Sequence, residues 1–434
     1  MPQYLDCNRP FEHQIVCLID NCHTACSDQV LKLVAICQKR RRLLFYLHKK
    51  RLYHSCPSRH FTQSADIIPA GSAQTVKKLF HFLKEKPFYG LLLLFPLAII
   101  GEWNGWSSVA VFVLSALAVV PLAGLIGEAT EALAIFTGPK IGGLLNATLG
   151  NAAELIITLM AIRAGLLELV KASITGSILG NLLLILGFSM LVGGIKNGTQ
   201  SFDRKQAGNH AILLILAVMA LVIPSIFSHS IGGEGSLKVE ALSLGVAGII
   251  IVLYIFGLIY SYRSTASPIT YPVEAHPNHT RYSIKQAIIL LAVATIGVVL
   301  MSEILVQAVE SVVVDLGLSE FFLGIILIPI IGNVAEHLVA VQVAARNQME
   351  LSVEIALSSS SQIALFVAPL LVYVSLVMGN PLTLIFNQFE LIALGAGVII
   401  SALVSNDGES NWLEGLALVA VYLILGLAFF LMPV

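Results

Sequence analysis

The sequence predicts an all-α polytopic membrane protein of about eleven transmembrane helices, arranged as one extra helix followed by two inverted five-helix repeats. Three observations carry this expectation. Hydrophobic residues make up 57% of the 434 and charged residues only 12%, with a mean hydropathy of +0.86; that is too little charge to cover a soluble surface. Many apolar runs approach the roughly 20 residues that cross a hydrocarbon core. One signature also occurs twice, as Gly150-Asn151-Ala152-Ala153-Glu154 and Gly332-Asn333-Val334-Ala335-Glu336, each copy inside such a run. A transmembrane barrel is disfavoured, because the runs are continuous and rich in Leu, Ile and Ala instead of alternating. The net charge of −1 says little about partners, since its distribution matters more than its sum.

That distribution is uneven. Residues 1–86 form a basic, Cys-containing extension that holds fourteen of the 25 Lys and Arg and all six Cys. No Cys follows Cys56, so the membrane portion can form no disulfide. Cys17, Cys22, His23 and Cys26 lack the C-x2-C pairing of a structural zinc site and read better as free thiols. The basic run from Lys39 to Arg51 suits a targeting or lipid-surface patch, and no basic-then-apolar signal peptide opens the chain. Near Val76-Lys77-Lys78 a short basic lead into an apolar span resembles a natural N-terminus. Residues before about 76 are therefore expected to be poorly ordered or to precede the true start.

From residue 87 the elements follow in order. The extra first helix occupies 87–106, with its apolar run at 88–103. The first repeat, 107–261, contains runs at 107–136, 139–163, 168–194, 209–229 and 237–261. A cytosolic inter-repeat loop, 262–283, leads to the second repeat, 284–434, with runs at 284–305, 318–345, 350–378, 385–405 and 412–432. Turn chemistry marks the breaks, as in Lys196-Asn197-Gly198, Gly379-Asn380-Pro381 and Asn406-Asp407-Gly408. Trp103, Trp106 and Trp412 lie at span ends, where amphipathic rings anchor in the interface.

Basic residues near span ends set the orientation. With the N-terminus inside, the inner loops carry Lys140, Lys196, Arg204, Lys205, Arg263, Arg281, Lys285 and Arg346, against Arg163, Lys171 and Lys238 outside. An odd number of helices per repeat makes the two repeats run in opposite senses, which lets a central site face each side in turn.

The chemistry sits in the repeated signature. A carboxylate near the bilayer centre costs roughly a few kcal/mol, so such residues usually mark an ion or proton path. Within each copy, Asn and Glu are three residues apart and share a helix face. Gly150 and Gly332 permit close backbone approach or a local break. Asn151 and Asn333 offer neutral amide oxygens beside the carboxylates of Glu154 and Glu336, a mixed set suited to a hard cation such as Ca²⁺, which takes about 6–8 oxygens. Two carboxylates neutralise one divalent ion and, when empty, take protons instead. A buried structural carboxyl is the competing reading, but the cost recurs in both copies.

Ser177 follows Glu154 at the same interval as Ser359 follows Glu336. With antiparallel neighbouring helices this interval returns each serine to the depth of its glutamate, with Asn181 or Gln362 nearby to complete the shell. Gly176, Gly180, Ser358, Ser360 and Ser361 read more readily as helix-packing residues. His337 is either a proton shuttle or a hydrogen-bonded packing residue. Glu128, Glu131 and Glu303 either line a proton route or sit at an interface.

The stretches Asn146-Ala147-Thr148-Leu149-Gly150-Asn151-Ala152-Ala153-Glu154-Leu155, Gly332-Asn333-Val334-Ala335-Glu336-His337 and Ser359 to Pro369 resemble the cation/proton exchanger family of the calcium/cation antiporter superfamily, over about residues 88–434. The resemblance implies exchange of cytosolic Ca²⁺ for H⁺, with Glu154 and Glu336 as alternating carriers and Asn151, Asn333, Ser177, Ser359 and Gln362 lining the site. Sodium-coupled relatives usually carry a second acid in the following helix, where this chain has Ser177 and Gln362. Another cation (Na⁺, K⁺ or Mn²⁺) on the same scaffold is the alternative. Many members place a strongly acidic helix between the repeats, whereas loop 262–283 holds only Glu274, with His276 and His279.

No cofactor is implied: Ca²⁺ is a transported substrate, and the partners are Ca²⁺, H⁺ and the lipid bilayer, with no feature for nucleic acid. An intramembrane enzyme is disfavoured, since His337 beside Glu336 is no H-E-x-x-H site. The compact loops favour a prokaryotic plasma membrane over an acidic organelle, and oligomeric state is left open.

Overall fold

The computed structural model describes residues 87–232, 235–263 and 282–432. The extension 1–86, with its cysteines and basic run, lies outside the described residues, as do Glu274, His276, His279 and Arg281 of the inter-repeat loop. Among the described residues eight helical segments are long and apolar enough to cross a membrane, and Phe88–Trp103 and Gln388–Val404 are shorter apolar helices. The remaining span is helical in two halves. These eleven segments keep the expected order.

A 3₁₀ stretch, Pro87–Leu93, leads into α1 (Leu94–Trp103). Ser107 then opens α2 (Ser108–Thr137) by accepting the Ala110 amide at 3.3 Å. Gly138, at φ 83°, turns the chain where a Cβ would be strained, and Pro139 starts α3 (Pro139–Leu149). α4 (Ala152–Ala164) completes the third span. α5 (Leu167–Leu179) and α6 (Leu186–Asn197) are joined by a π-helical turn, Gly180–Ile185. α7 (Arg204–Ile231) and α8 (Leu237–Arg263) close the first repeat.

The second repeat opens with α9 (Ile284–Leu316), started by a Ser283–Gln286 capping box. The short α10 (Glu320–Phe322) and a π turn, Leu323–Leu327, precede α11 (Ile328–Ala345). α12 (Met349–Gln362) passes through a further π turn, Ile363–Val367, into α13 (Ala368–Met378). α14 (Gln388–Val404) and α15 (Trp412–Phe430) begin with capping boxes at Asn387–Glu390 and Asn411–Glu414. The most extensive helix contact joins α2 to α9, one helix from each repeat.

Four details differ from the sequence expectation. The third span breaks at Gly150–Asn151, whereas the matching α11 runs unbroken through Gly332–Glu336. The seventh span, expected to end near 305, continues to Leu316, because Glu310 and Asp315 lower hydropathy without interrupting the helix, which Gly317 ends at φ 64°. The tenth span is helical only from Gln388. Its preceding residues are non-helical, and three of their amides are satisfied by buried serines: Leu382 N donates to Ser375 Oγ at 2.8 Å, Leu384 N to Ser243 Oγ at 3.0 Å and Phe386 N to Ser225 Oγ at 2.9 Å. Non-helical backbone survives within a bilayer only when protein satisfies it in this way. Finally, within the all-α fold the loops at 200–201 and 409–410 are tied by a two-residue antiparallel ladder that pairs Gln200 with Ser410 and Ser201 with Glu409.

Candidate cation site

The two signatures meet where α4 and α11 approach each other. The break at Gly150–Asn151 places Glu154 in the first turn of α4, where the helix dipole favours negative charge. The contact is reciprocal. A Cβ on Gly150 would lie 3.1 Å from Glu336 Oε1, and one on Gly332 would lie 3.7 Å from the Glu154 Cα. Each glycine thus lies against the other copy's glutamate, tightly at Gly150 and at ordinary contact distance at Gly332. Glu154 is 1% exposed, while Glu336 is partly exposed.

Each glutamate is held by its own repeat's serine, and that serine is met by the other repeat's asparagine. Ser177 Oγ donates to Glu154 Oε1 and accepts from Asn333 Nδ2 at 3.4 Å. In the second copy, Ser359 Oγ lies 2.9 Å from Glu336 Oε2 and 3.2 Å from Asn151 Oδ1, with one proton to share between them. The shared Glu-to-Ser interval therefore does return both serines to glutamate depth. Asn151 Nδ2 donates to Gln362 Oε1 at 3.1 Å, and Asn181 Nδ2 to Ser359 Oγ at 3.0 Å. All seven residues expected to line the site fall into two hydrogen-bonded sets, Glu154–Ser177–Asn333 and Glu336–Ser359–Asn151–Gln362, which lie side by side where Gly150 faces Glu336 and Gly332 faces Glu154. The π turns starting at Gly180 and Ile363 follow the two serines at nearly matching positions, and π turns recur at functional sites.

The weaker candidates divide. His337 Nε2 lies 3.3 Å from Asn181 Oδ1, so it touches the network's edge and not a carboxylate. Glu128 accepts hydrogen bonds from Tyr89 Oη at 2.8 Å and Tyr282 Oη at 3.2 Å, joining the first segment to the start of α9. Glu131 is exposed. Glu303 is not brought to the network; its Oε1 lies 3.7 Å from Arg163 Nη1, with both side chains substantially exposed. Such pairs are worth about 0–1 kcal/mol, so Glu303→Gln is expected to leave transport within about twofold of the parent in a vesicle flux assay. A loss as deep as that expected for Glu154→Gln would instead put Glu303 on the ion or proton route.

Chemically the site is a set of oxygens with two carboxylates and neutral amide and hydroxyl groups. Glu154 Oε2 has no hydrogen-bond partner, so it is free to take a proton or a cation. No group of three or more His, Cys, Asp or Glu side chains suited to a metal occurs among the described residues. The negative charge of the network is therefore limited to two, and its donors are hard oxygens that match a single divalent ion.

The sequence presents Asn181 and Gln362 as alternatives, whereas both join the network. Asn181 lies four residues after Ser177, hence on the same face, which is the signal that identifies it. Two further buried acids, Glu354 and Glu390, escape a search for repeated motifs, although each interrupts an apolar span. Glu390 caps α14 through the Asn387 amide at 2.8 Å and accepts from Thr175 Oγ1 at 3.1 Å.

Known proteins resemble this chain in sequence and in fold. The family described as sodium/calcium exchanger protein matches residues 107–263 and 286–431. The chain is 44% identical over 368 residues to a Ca²⁺/H⁺ antiporter of Aphanothece halophytica, covering 81% of this chain and 98% of that one. It is 43% identical over 341 residues to the Ca²⁺/H⁺ antiporter ChaA of Bacillus subtilis, covering 78% and 96%. The structure of native YfkE superimposes with a TM-score of 0.70 at 41% identity, over 80% of this chain and all of that one.

Proposed function

The chain belongs to the sodium/calcium exchanger protein family, and from that premise we propose that it exports cytosolic Ca²⁺ in exchange for H⁺, with Glu154 and Glu336 as the shared carriers. It is a multi-pass membrane transporter and not an enzyme. The observation that carries the proposal is the adjacency of Glu154–Ser177–Asn333 and Glu336–Ser359–Asn151, two hydrogen-bonded sets that each combine a glutamate and serine of one repeat with the asparagine of the other. The names of relatives at 44% and 43% identity supply the ion pair.

The mechanism follows from competition for oxygens. Ca²⁺ needs both carboxylates ionised and turned towards it, while protonation makes each carboxyl a neutral hydrogen-bonding group. The same atoms cannot hold both ions, so one leaves when the other arrives. In this reading α4 and α11 hold the site near the midplane, while the packed pair α2 and α9 slides between inward- and outward-facing states. Acidification is expected to weaken Ca²⁺ binding and alkalinisation to strengthen it, since only the deprotonated pair binds the ion. A prokaryotic plasma membrane is the proposed location.

The test is ⁴⁵Ca²⁺ uptake into everted vesicles or proteoliposomes under an imposed pH gradient. Uptake that collapses with a protonophore is the expected result. Uptake indifferent to the pH gradient and driven by Na⁺ would overturn proton coupling; no Ca²⁺ movement under any gradient would turn the scaffold to another cation.

A further inference from the structure

A second polar cluster lies on the basic, inner end of the bundle, where α7 packs against α12. A small cavity there is lined by Asp203, Gln206, His210, Glu350 and Glu354, with apolar neighbours. His210 is 1% exposed and Glu354 8%, yet neither ring nitrogen of His210 nor Oε1 of Glu354 has a hydrogen-bond partner. Buried polar atoms are almost always satisfied, so two titratable side chains with open atoms on one cavity call for a functional account.

Their placement supplies one. Glu354, Ser358 and Gln362 recur at i, i+4 and i+8 of α12 and so line one face. Ser358 Oγ is also buried without a partner, and Gln362 Oε1 is bonded to Asn151 of the central network. A row of polar side chains thus leads from the cavity to the site. The cavity measures about 10 Å³ as swept by a water molecule's centre, which is room for about one water and none for a hydrated divalent ion. Among the described residues no trio of His, Cys, Asp or Glu is placed to hold a metal. Protons fit where metal ions do not.

The internal repeat gives this row a direction. The offset that carries Glu154 onto Glu336 also carries Glu168 onto Glu350 and Gln206 onto Gln388, so the outer contact of α5 with α14 is the counterpart of the inner contact of α12 with α7. The outer cluster is compensated: Lys171 pairs with Glu168, and Glu390 is bonded to Asn387 and Thr175. The inner cavity has no Lys or Arg among its lining residues. The titratable groups facing Glu354 across it are Asp203, His210 and Glu350. On the other helices packed against α12, Glu336 and His337 of α11 belong to the central network, and Lys196 of α6 is exposed, as are Arg204 and Lys205 at the start of α7.

We propose that Glu354 and His210 form a proton station between the central carboxyls and the inner aqueous phase. Protons leaving Glu154 and Glu336 as Ca²⁺ binds pass along the Ser358 face, rest on the Glu354 carboxylate or the neutral His210 ring, and go to water on the inner side. Nothing is consumed, and each proton taken up is released. This inference rests on the exchange reading above.

Two assays on the full chain in proteoliposomes separate the two ideas. One is pH-gradient-driven ⁴⁵Ca²⁺ uptake as a function of pH on the inner face; the other is Ca²⁺/Ca²⁺ counterflow at equal pH, which requires the central site but no net proton movement. For Glu354→Gln combined with His210→Asn, driven uptake is expected to fall about tenfold or more with an altered pH profile, while counterflow stays within about twofold. Glu354→Asp should recover part of the driven rate. A parent-like pH profile and rate in the double variant would overturn the station, as would equal loss in both assays, which signals a structural role. Absence of pH-driven uptake in the parent would remove the exchange reading and the station together.

Discussion

Glu154→Gln and Glu336→Gln are each expected to lower Ca²⁺ transport at least a hundredfold, in pH-driven uptake and in counterflow alike, while leaving the fold intact. Each substitution removes one of two charges facing a doubly charged ion. Unit charges about 4 Å apart interact by about 4 kcal/mol at an effective dielectric of about 20, equivalent to about a thousandfold in affinity. The amide oxygen of Gln can still accept the serine hydroxyl proton, from Ser177 in one repeat and Ser359 in the other, so the packing contact remains. A neutral amide is also cheaper to bury in a bilayer than a carboxylate, so thermal stability in detergent should hold or rise. Substantial uptake by both variants would remove these carboxyls from the transport step.

That prediction rests on residues that could be read without coordinates, and the reason is repetition. A charged group inside an apolar run carries a large cost and is conspicuous, and its return in the second half of the chain, in the same Gly-Asn frame, identifies both the repeat and the site. The serine positions were legible because antiparallel helices convert sequence separation into depth. The break at Gly150–Asn151 was less so. The two copies share the Gly-Asn pair, yet only the first interrupts its helix, so tertiary surroundings and not local propensity decide it. The non-helical residues before α14 look as apolar as the helix that follows, and only the serines of α7, α8 and α13 that meet their amides reveal them. Glu354 and Glu390 are both visible as acids within spans; Asn387, three residues before Glu390, marks that acid as a capping-box partner, whereas nothing in the sequence marks Glu354 as lining a cavity.

Gly176 and Gly180 lie one turn apart, at the end of α5 and the start of the π turn that follows it, and the sequence treats them alike. The structure does not. A Cβ on Gly176 would collide with the Ile325 carbonyl and come within 2.7 Å of Pro329 Cγ, whereas a Cβ on Gly180 would meet nothing within 4 Å. The obstacle at Gly176 is backbone within the Leu323–Leu327 π turn, which cannot move aside as a side-chain tip could. Gly176→Ala is therefore expected to cost about 1–3 kcal/mol through overpacking. Gly180→Ala should be neutral or slightly stabilising, since Gly costs about 1 kcal/mol relative to Ala within a helix. The functional effect should split in the same way. Ser177 adjoins Gly176, so pushing α5 away from the π turn draws the Ser177 hydroxyl off Asn333 of the other repeat and weakens the link between the repeats. Detergent thermal-shift measurements together with ⁴⁵Ca²⁺ uptake should find Gly176→Ala less stable and strongly impaired, and Gly180→Ala close to the parent in both. Equal behaviour of the two variants would mean that the close approach at Gly176 does not hold the repeats in register.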